Sequence, residues 1–236
     1  EKAEPYRTRI TAGGNLLDYD GNVTTHTAAN METIKCHWNS VLSTKGAKYC
    51  TGDISNMYLC SWLKEAEYVR FHIDTIPPRI VEHYKLQGLV HNGNVYAQIK
   101  RAWYGLKQSG KIAHDDLVEH LSKYGYKRTP RTEGLFKHKT RDITFTLVVD
   151  DFGIKYTKEA DVDHLITAVR AKYPFKVDMD AKQYVGIHLK WDYKKRELRT
   201  TIDGYVEQAL KEFQHPRPKQ HYKGPSHVDR PDYGQT

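Results

Sequence analysis

Apolar and polar positions alternate along the chain in short runs that predict β-strands. The clearest run is apolar and β-branched, covers residues 143–149, and ends at the adjacent acids Asp150 and Asp151. A second apolar segment follows at residues 152–156, so the pattern predicts a β-hairpin with carboxylates at its tip. Because Asp is a favoured turn residue, an ordinary polar turn is the simpler interpretation of these positions taken alone.

A second predicted strand, at residues 48–54, also ends near an acid, Asp53. Alternating patterns predict further strands at residues 68–73 and 95–100. Residues 183–191 and 197–201 are predicted to form another hairpin, which turns across the basic residues Lys194, Lys195 and Arg196.

Helices are predicted where apolar residues recur at helical spacing. Ile34, Trp38 and Val41 define one such helix, and Gly46 supplies its stop. Similar patterns predict a helix at residues 111–124 and another behind the acidic hairpin, at about 159–173. Asp203 is predicted to cap a short helix that ends near residue 213, whereas residues 77–94 show no clear pattern.

The acids at the strand ends suggest metal chemistry. Two adjacent carboxylates repel each other, and burying them unpaired costs several kcal/mol. A divalent cation relieves this cost, and Mg²⁺ prefers oxygen ligands. If the two strands pair side by side, Asp53 is expected to meet Asp150 across the strand ends, which would form a metal site with three carboxylates.

Composition narrows the functional classes. The 236 residues suit one large domain or a few tightly joined subdomains. The mean hydropathy of −0.74 and the lack of an apolar run of about 20 residues predict no membrane partner. Three cysteines without metal-ligand spacing favour a reducing intracellular compartment, cytoplasmic or nuclear. The opening residues carry no signal peptide and resemble the middle of a longer protein.

The net charge of +8 and the pI near 9.2 are compatible with a polyanionic partner. Basic residues alternate with aromatic ones at residues 123–141, a composition typical of a track for a nucleic-acid backbone. Lys127 and Arg128 are the candidates there. A plain basic surface explains the same residues.

Four motifs follow one another in a recognisable order. They are Asp53 to Leu59, Trp103 to Gln108, Val148 to Asp151, and Val185 to Ile187. Together they resemble the reverse transcriptases of copia-type long-terminal-repeat retrotransposons, and the resemblance extends over about residues 6–215. It implies an α+β fold: a polymerase palm, with an antiparallel sheet backed by helices, a fingers subdomain and a partial thumb. Residues 1–46 and 76–110 would be fingers, 47–75 and 111–196 palm, and 197–236 the start of a thumb or linker.

The resemblance also implies a reaction, the addition of deoxynucleotides to a primer 3′-OH on an RNA or DNA template. Two Mg²⁺ ions, with Mn²⁺ as a substitute, would be bridged by Asp53 and Asp150. Asp151 would be a third carboxylate, and the Ile54 carbonyl an extra ligand.

Residues of the nucleotide pocket follow from the same resemblance. Tyr58, Gly105 and Gln108 would line the pocket, and Arg7 or Arg9 would contact the triphosphate, unless these arginines are simply solvated. Lys107 and Lys111 would meet phosphates, or else belong to a solvated helix start. The hairpin that contains Gly186 would grip the primer strand.

In this family the segment would belong to a polyprotein with integrase and RNase H, and would work inside a retrotransposon particle. Two other functions stay open. One is a domesticated or inactive module that binds RNA without synthesis. The other is a metal-dependent nuclease built on the same three acids.

Overall fold

The structure, a computed structural model, describes residues 10–21, 23 and 28–214. Its α-helices are Met31–Ser43 (α1), Pro78–His83 (α2), Ser109–Lys123 (α3), Glu159–Arg170 (α4) and Tyr205–Glu212 (α5). Its strands are Lys48–Ile54 (β1), Trp62–His72 (β2), Asn94–Arg101 (β3), Tyr126–Arg128 (β4), Leu135–His138 (β5), Ile143–Val148 (β6), Asp151–Tyr156 (β7), Phe175–Asp178 (β8), Gln183–Tyr184 (β9), Ile187–Asp192 (β10) and Glu197–Thr201 (β11).

A six-stranded sheet with the order β4-β5-β6-β7-β1-β8 forms the centre of the fold. All its neighbouring strands run antiparallel. β1 lies between β7 and β8, although about a hundred residues separate β1 from either strand. The expected direct pairing of β1 with β6, the strand that runs up to Asp150, is therefore wrong. β1 pairs instead with β7, the second strand of the acidic hairpin, which begins at Asp151.

The two faces of this sheet are covered differently. On one face, α3 and α4 pack through Leu117, Leu121 and Leu165 against Phe145 and Phe152 of the sheet. On the other face, apolar residues of α1 pack with the three-stranded sheet β11-β10-β9. The result is an α+β fold in which helices back an antiparallel sheet, as predicted.

Several element boundaries differ from the sequence-based expectation. The predicted strand at 183–191 is two strands, because Val185 (φ = 44°) and Gly186 (φ = 80°) adopt left-handed conformations and turn the chain between β9 and β10. β2 begins earlier than predicted, at Trp62, and the segment without a clear pattern contains α2. The N-cap of α5 is Gly204 rather than Asp203.

The chain divides into two compact units, residues 1–200 and 201–236. The described part of the second unit contains α5. The assignment of segments to fingers, palm and thumb stays a prediction. No helix within the described residues is long and apolar enough to cross a bilayer.

Candidate active site

Asp53 and Asp151 lie directly opposite each other on neighbouring strands. They are register partners of the β1–β7 pair, so both side chains project from the same face of the sheet. The expectation that Asp53 faces Asp150 is wrong by one residue. β7 begins at Asp151, and Asp150 is part of the two-residue turn between β6 and β7.

Backbone strain and one hydrogen bond define the tip of this hairpin. Val149 has φ = 57°, an uncommon conformation for a β-branched residue. The Ile54 backbone N–H donates to the Asp150 carbonyl at 3.1 Å, which ties the tip to the end of β1. Such strain persists only where the surroundings hold it. The tip is therefore held next to Asp53 by the backbone itself.

The carboxylates interact electrostatically. Burial raises the pKa of Asp151 to about 6, and the negative charges of Asp150 and Asp53 add to this effect. The same environment reaches Tyr58, whose phenol pKa is raised by burial and then by the charge of Asp150. The charge of Asp150 therefore acts on both Asp151 and Tyr58, and the charge of Asp53 acts on Asp151.

A cleft of about 430 Å³ opens beside this cluster. Asp53 and Asp151 line it on one side, and Gln183 and Gly186 of the β9–β10 hairpin line it on the other. The structure therefore brings Gly186 together with two of the predicted acids. The turn glycine leaves open space, because a Cβ added at this position would have no other atom within 4 Å.

Sequence reasoning missed Lys176, which also lines the cleft. Lys176 on β8 is the register partner of Asp53 on the side of β1 opposite Asp151. Asp53 therefore lies between an acidic neighbour and a basic one. The alternating residues 175–178 resemble a short strand, but nothing in the sequence indicates that this strand pairs with β1.

Two close packing contacts shape the strands around the acids. A Cβ at Gly52 would lie 2.2 Å from the Phe175 ring, and one at Gly153 would lie 2.0 Å from the Tyr49 hydroxyl. Only glycine fits at either position without displacing an aromatic ring.

Tyr184 fixes the β9–β10 hairpin against the central sheet. Its hydroxyl donates to the Thr146 carbonyl at 3.1 Å and lies 3.0 Å from the Thr146 hydroxyl. Its ring meets Tyr49 and Trp38 edge-on. Because Tyr184 is buried, these contacts hold the turn at Gly186 in place over the cleft.

Tyr58 lies next to the acids in the short 3₁₀-helix Met57–Cys60. It is half-buried, and its ring packs on Tyr104 with centroids 4.9 Å apart. It also touches the edge of the main hydrophobic core. The position combines a partly exposed ring with a core contact, and the pocket role of Tyr58 stays a prediction.

The turn at residues 103–108 contacts the N-terminal segment in this structure. The Ala12 backbone N–H donates to the Tyr104 carbonyl at 2.7 Å, and Lys107 Nζ donates to the Leu17 carbonyl at 2.7 Å. Gly105 has φ = 93°, and a Cβ there would lie 2.0 Å from the Ala12 carbonyl oxygen. The close approach that Gly105 permits is thus to the protein's own backbone, and its predicted ligand role stays a prediction.

Gln108 is buried, with 4% of its surface exposed, and its Nε2 donates to Glu67 Oε1 at 2.7 Å. This bond fixes the orientation of the amide, so Oε1 is directed away from Glu67. Within the described residues, that oxygen has no hydrogen-bond partner. Gln108 and Lys111 line a second cavity, separate from the one that Asp53 lines, and Lys111 pairs there with Asp115.

The remaining predicted nucleic-acid residues lie elsewhere. Lys127 and Arg128 are on β4, four strands from β1, which corresponds to roughly 19 Å at normal strand spacing. Arg128 contacts His114, and burial together with that guanidinium lowers the pKa of His114 to about 4. The roles of Lys127 and Arg128 stay predictions. Arg7 and Arg9 lie outside the described residues.

The fit to a metal ion rests on the chemistry of the donors. Among the described residues, no three His, Cys, Asp or Glu side chains are assembled into a group that could hold a metal ion. Asp53, Asp150 and Asp151 are nevertheless close enough to raise the pKa of Asp151 together. Carboxylates repel each other without a cation, and their oxygens are the ligands that hard divalent ions prefer. The donor set fits such an ion, although the three carboxylates are not assembled into the site expected from the sequence.

The family follows from a comparison with known protein families. The profile of the reverse transcriptase (RNA-dependent DNA polymerase) family matches residues 53–221, which is most of the chain. The chain belongs to this family. The matched segment begins at Asp53 and extends past Gly186, so it contains the acidic hairpin, the turn at 103–108 and most of the residues that line the cleft. The central antiparallel sheet of the chain is accordingly palm-like.

Solved structures to which the chain is similar include telomerases from two Candida species. Telomerase from Candida albicans, in complex with a TWJ fragment of telomeric RNA, is 14% identical, with a TM-score of 0.40 over 69% of this chain and 33% of that one. Two apo telomerase structures from Candida tropicalis are 11% and 10% identical, each with a TM-score of 0.41 over 75% of this chain. They are matched over 41% and 37% of their own length, so this chain spans less than half of these proteins.

Proposed function

We propose that this chain is the catalytic part of an RNA-directed DNA polymerase, which adds deoxynucleotides to a primer 3′-OH. The observation that carries the proposal is the register pairing of Asp53 with Asp151, beside a hairpin tip that carries Asp150. In a chain of the reverse transcriptase family, these carboxylates are the groups suited to bind divalent ions.

Each acid would contribute negative charge where the incoming triphosphate and the primer end meet. When bound there, two Mg²⁺ ions, or Mn²⁺ in their place, would supply Lewis-acid chemistry at the primer hydroxyl and at the pyrophosphate leaving group. Asp53 and Asp150 would bind both ions, with Asp151 and the Ile54 carbonyl as further ligands. Lys176 places a positive charge on the other side of Asp53, which suits a cleft that receives phosphates.

The nucleotide pocket would be completed by residues close to this cluster. Tyr58 is near enough to Asp150 for the two to interact electrostatically, and its ring is partly exposed. Gln108 carries a buried acceptor oxygen. Opening of the contacts between segment 10–17 and the turn at 103–108 would free Gly105 and Lys107 to meet a nucleotide.

The partners proposed for the chain are an RNA or DNA template, its primer and deoxynucleoside triphosphates. The copia-type assignment rests on the four ordered motifs. We expect the chain to belong to a retrotransposon polyprotein that also contains integrase and RNase H. It would work in an intracellular particle.

A primer-extension assay on an RNA template, with and without Mg²⁺, tests the proposal. We expect templated deoxynucleotide addition that requires the ion. Binding of the primer–template without extension would instead identify an RNA-binding module. Cleavage of the primer–template in the absence of nucleotides would identify a nuclease.

A further inference from the structure

A concentration of positive charge lies at the far end of the β10–β11 hairpin. The turn of this hairpin, residues 193–196, approaches the α1–β1 turn, residues 44–48. The two turns enclose a hollow of about 500 Å³, and the basic side chains that line it are Lys45, Lys48, Lys194 and Arg196. We call these two turns and the hollows around them the distal basic surface.

A second hollow, of about 480 Å³, continues this surface along the hairpin. It shares Lys194 with the first hollow and adds Lys190, Lys195 and Arg199. Seven basic side chains line the two hollows, against two acidic ones, Asp192 and Glu197. The local charge is therefore strongly positive, and a concave basic surface concentrates anionic partners.

Ion pairs neutralise only part of this charge. Lys48 pairs with Glu159 at 2.9 Å, while the pairs of Lys195 with Asp192 and of Arg199 with Glu197 are long, at 3.9 and 4.0 Å. Within the described residues, the other four basic side chains form no ion pair: Lys45, Lys190, Lys194 and Arg196. These four are exposed, so their charges are available to a partner.

A rigid aromatic platform accompanies the charges. Tyr193 is 44% exposed and stacks on Trp191, with centroids 5.6 Å apart and ring planes 6° apart. Trp191 packs in turn on the buried Tyr49, and the Tyr193 hydroxyl accepts a hydrogen bond from the Tyr49 backbone N–H at 3.1 Å. These contacts hold the turn, and the cations on it, in a fixed position. The positive charge of the surface, close to a cleft proposed to hold nucleic acid, favours a phosphate backbone as the partner.

The distal basic surface is connected to the cleft by a single strand. β10 runs from the turn at Gly186, which lines the cleft, to the turn at Tyr193. Its length at normal strand rise is roughly 20 Å, which corresponds to about six base pairs of a duplex.

We propose that the distal basic surface binds the phosphate backbone of the primer–template about six base pairs away from the reaction site. The contact would be independent of sequence and would lengthen the bound segment of nucleic acid. The inference rests on the proposed binding of nucleic acid in the cleft, but it does not depend on catalysis there.

The test is fluorescence anisotropy of labelled RNA–DNA hairpins in a salt series, with stems of about six and about eighteen base pairs. The variant is Lys194→Ala/Arg196→Ala. The control, Lys35→Ala/Arg79→Ala, removes the same charge from exposed positions on α1 and α2. For the long stem, loss of two phosphate contacts should make the log–log salt slope shallower by about 2 and weaken binding at 50 mM salt on the order of tenfold. The short stem should bind the variant and the unmodified protein alike.

Three outcomes would overturn the inference: unchanged long-stem affinity, an equal loss in the control variant, or an equal loss for both stem lengths. Selective loss of binding to vesicles that contain phosphatidylserine, with nucleic-acid binding unaffected, would assign the surface to a membrane instead. A primer-extension assay run in parallel separates this test from the proposed function. A chain that binds the long stem through Lys194 and Arg196 but does not extend a primer would support the surface and refute the polymerase.

Discussion

Asp53 and Asp151 are register partners on adjacent antiparallel strands, although nearly a hundred residues separate them in the chain. Their side chains leave the same face of the sheet, and Asp150 immediately precedes Asp151 at the hairpin tip. Like charges directly opposite each other on a sheet are destabilising. The pairing therefore lowers the stability of the metal-free protein, and a bound divalent ion would offset this loss.

Asp150→Asn and Asp53→Asn should each abolish primer extension. Each substitution removes one charge from the proposed metal ligands, and the loss of Lewis-acid stabilisation should slow extension by roughly a thousandfold or more, about 4 kcal/mol of barrier. Single-turnover extension rates measure the effect. The matched control is Asp163→Asn, at an exposed position on α4, which should extend at the normal rate. Near-normal activity in either site variant would refute the assignment.

Asp151→Asn should stabilise the metal-free protein at neutral pH. The pKa of Asp151 is about 6 in the fold, above its ordinary value of 3.8, so the folded state binds the proton more tightly than the unfolded state. The stabilising contribution of the protonated form is complete below about pH 3.8 and is lost as the pH rises to 6. Because solvent screens this half-buried carboxyl, we expect a gain of only about 1 kcal/mol in the variant at pH 7.5.

Thermal unfolding in a chelator, followed by addition of Mg²⁺, measures this effect. The difference in Tm between Asp151→Asn and the unmodified protein should shrink as the pH is lowered toward 4. Mg²⁺ should then raise the Tm of the unmodified protein more than that of the variant, because binding to the native state adds stability. A variant that is less stable than the unmodified protein in chelator at pH 7.5 would contradict the prediction.

Tyr58→Val should relax discrimination against ribonucleotides. A ring packed under the sugar would exclude a 2′-hydroxyl by steric contact, so the smaller side chain should admit ribonucleotides while deoxynucleotide addition continues. The measurement is the ratio of kcat/KM for the two substrates. An unchanged ratio would remove Tyr58 from the pocket.

Tyr173→Val is the matched control for that experiment. Tyr173 is a core tyrosine with 2% of its surface exposed, and its hydroxyl reaches Asp116. Truncating a buried aromatic costs about 3–5 kcal/mol when the whole ring is lost. The control should therefore be less stable and should slow both substrates alike, which is also how Tyr58→Val would behave if Tyr58 only packed against the core.

His37 should make the protein sensitive to mild acid. The ring is buried between α1 and the sheet and lies 2.9 Å from the Thr144 hydroxyl, and burial followed by the charge of Lys155 lowers its pKa to about 3. The unfolded state, with an ordinary histidine pKa near 6.5, binds the proton more tightly. Stability is therefore complete above about pH 6.5 and falls toward pH 3, by up to about 1.4 kcal/mol per pH unit.

Urea unfolding between pH 5 and 7 measures this dependence, with Asp151→Asn as the background for every variant, because Asp151 itself titrates near pH 6. His37→Gln should be less stable at pH 7 but should show a flatter pH dependence, because glutamine does not titrate. The control His83→Gln, at an exposed position on α2, should leave the slope unchanged. An unaltered slope in His37→Gln would show that another group causes the acid sensitivity.

The sequence by itself determined the local elements and the kind of chemistry. The apolar run before Asp150 predicted β6, the helical spacing of Ile34, Trp38 and Val41 predicted α1, and four ordered motifs indicated the family. These features are readable because each depends on residues that are close along the chain. Side-chain alternation and helical periodicity follow from local backbone geometry.

Tertiary structure alone decided which residues meet. The pattern of β1 and of the hairpin was visible, but the register that opposes Asp53 to Asp151 rather than to Asp150 depends on where the turn at Val149 begins. A shift of one residue moves every side chain to the other face of a sheet, so register is set by the burial of both strands together. Lys176 lines the cleft for a similar reason, because β8 pairs with β1 and places it opposite Asp53.

The contacts of Gln108 with Glu67 and of Gly105 with Ala12 likewise could not be predicted from the sequence. Their partners are distant in sequence, and no local pattern selects them. Composition likewise gave the net charge of +8, whereas the concentration of Lys45, Lys194 and Arg196 around one hollow arises only when two separate turns come together. Strands and helices are determined by residues that are close along the chain. The sites form only where these elements pack, because packing brings together residues that are far apart in the sequence.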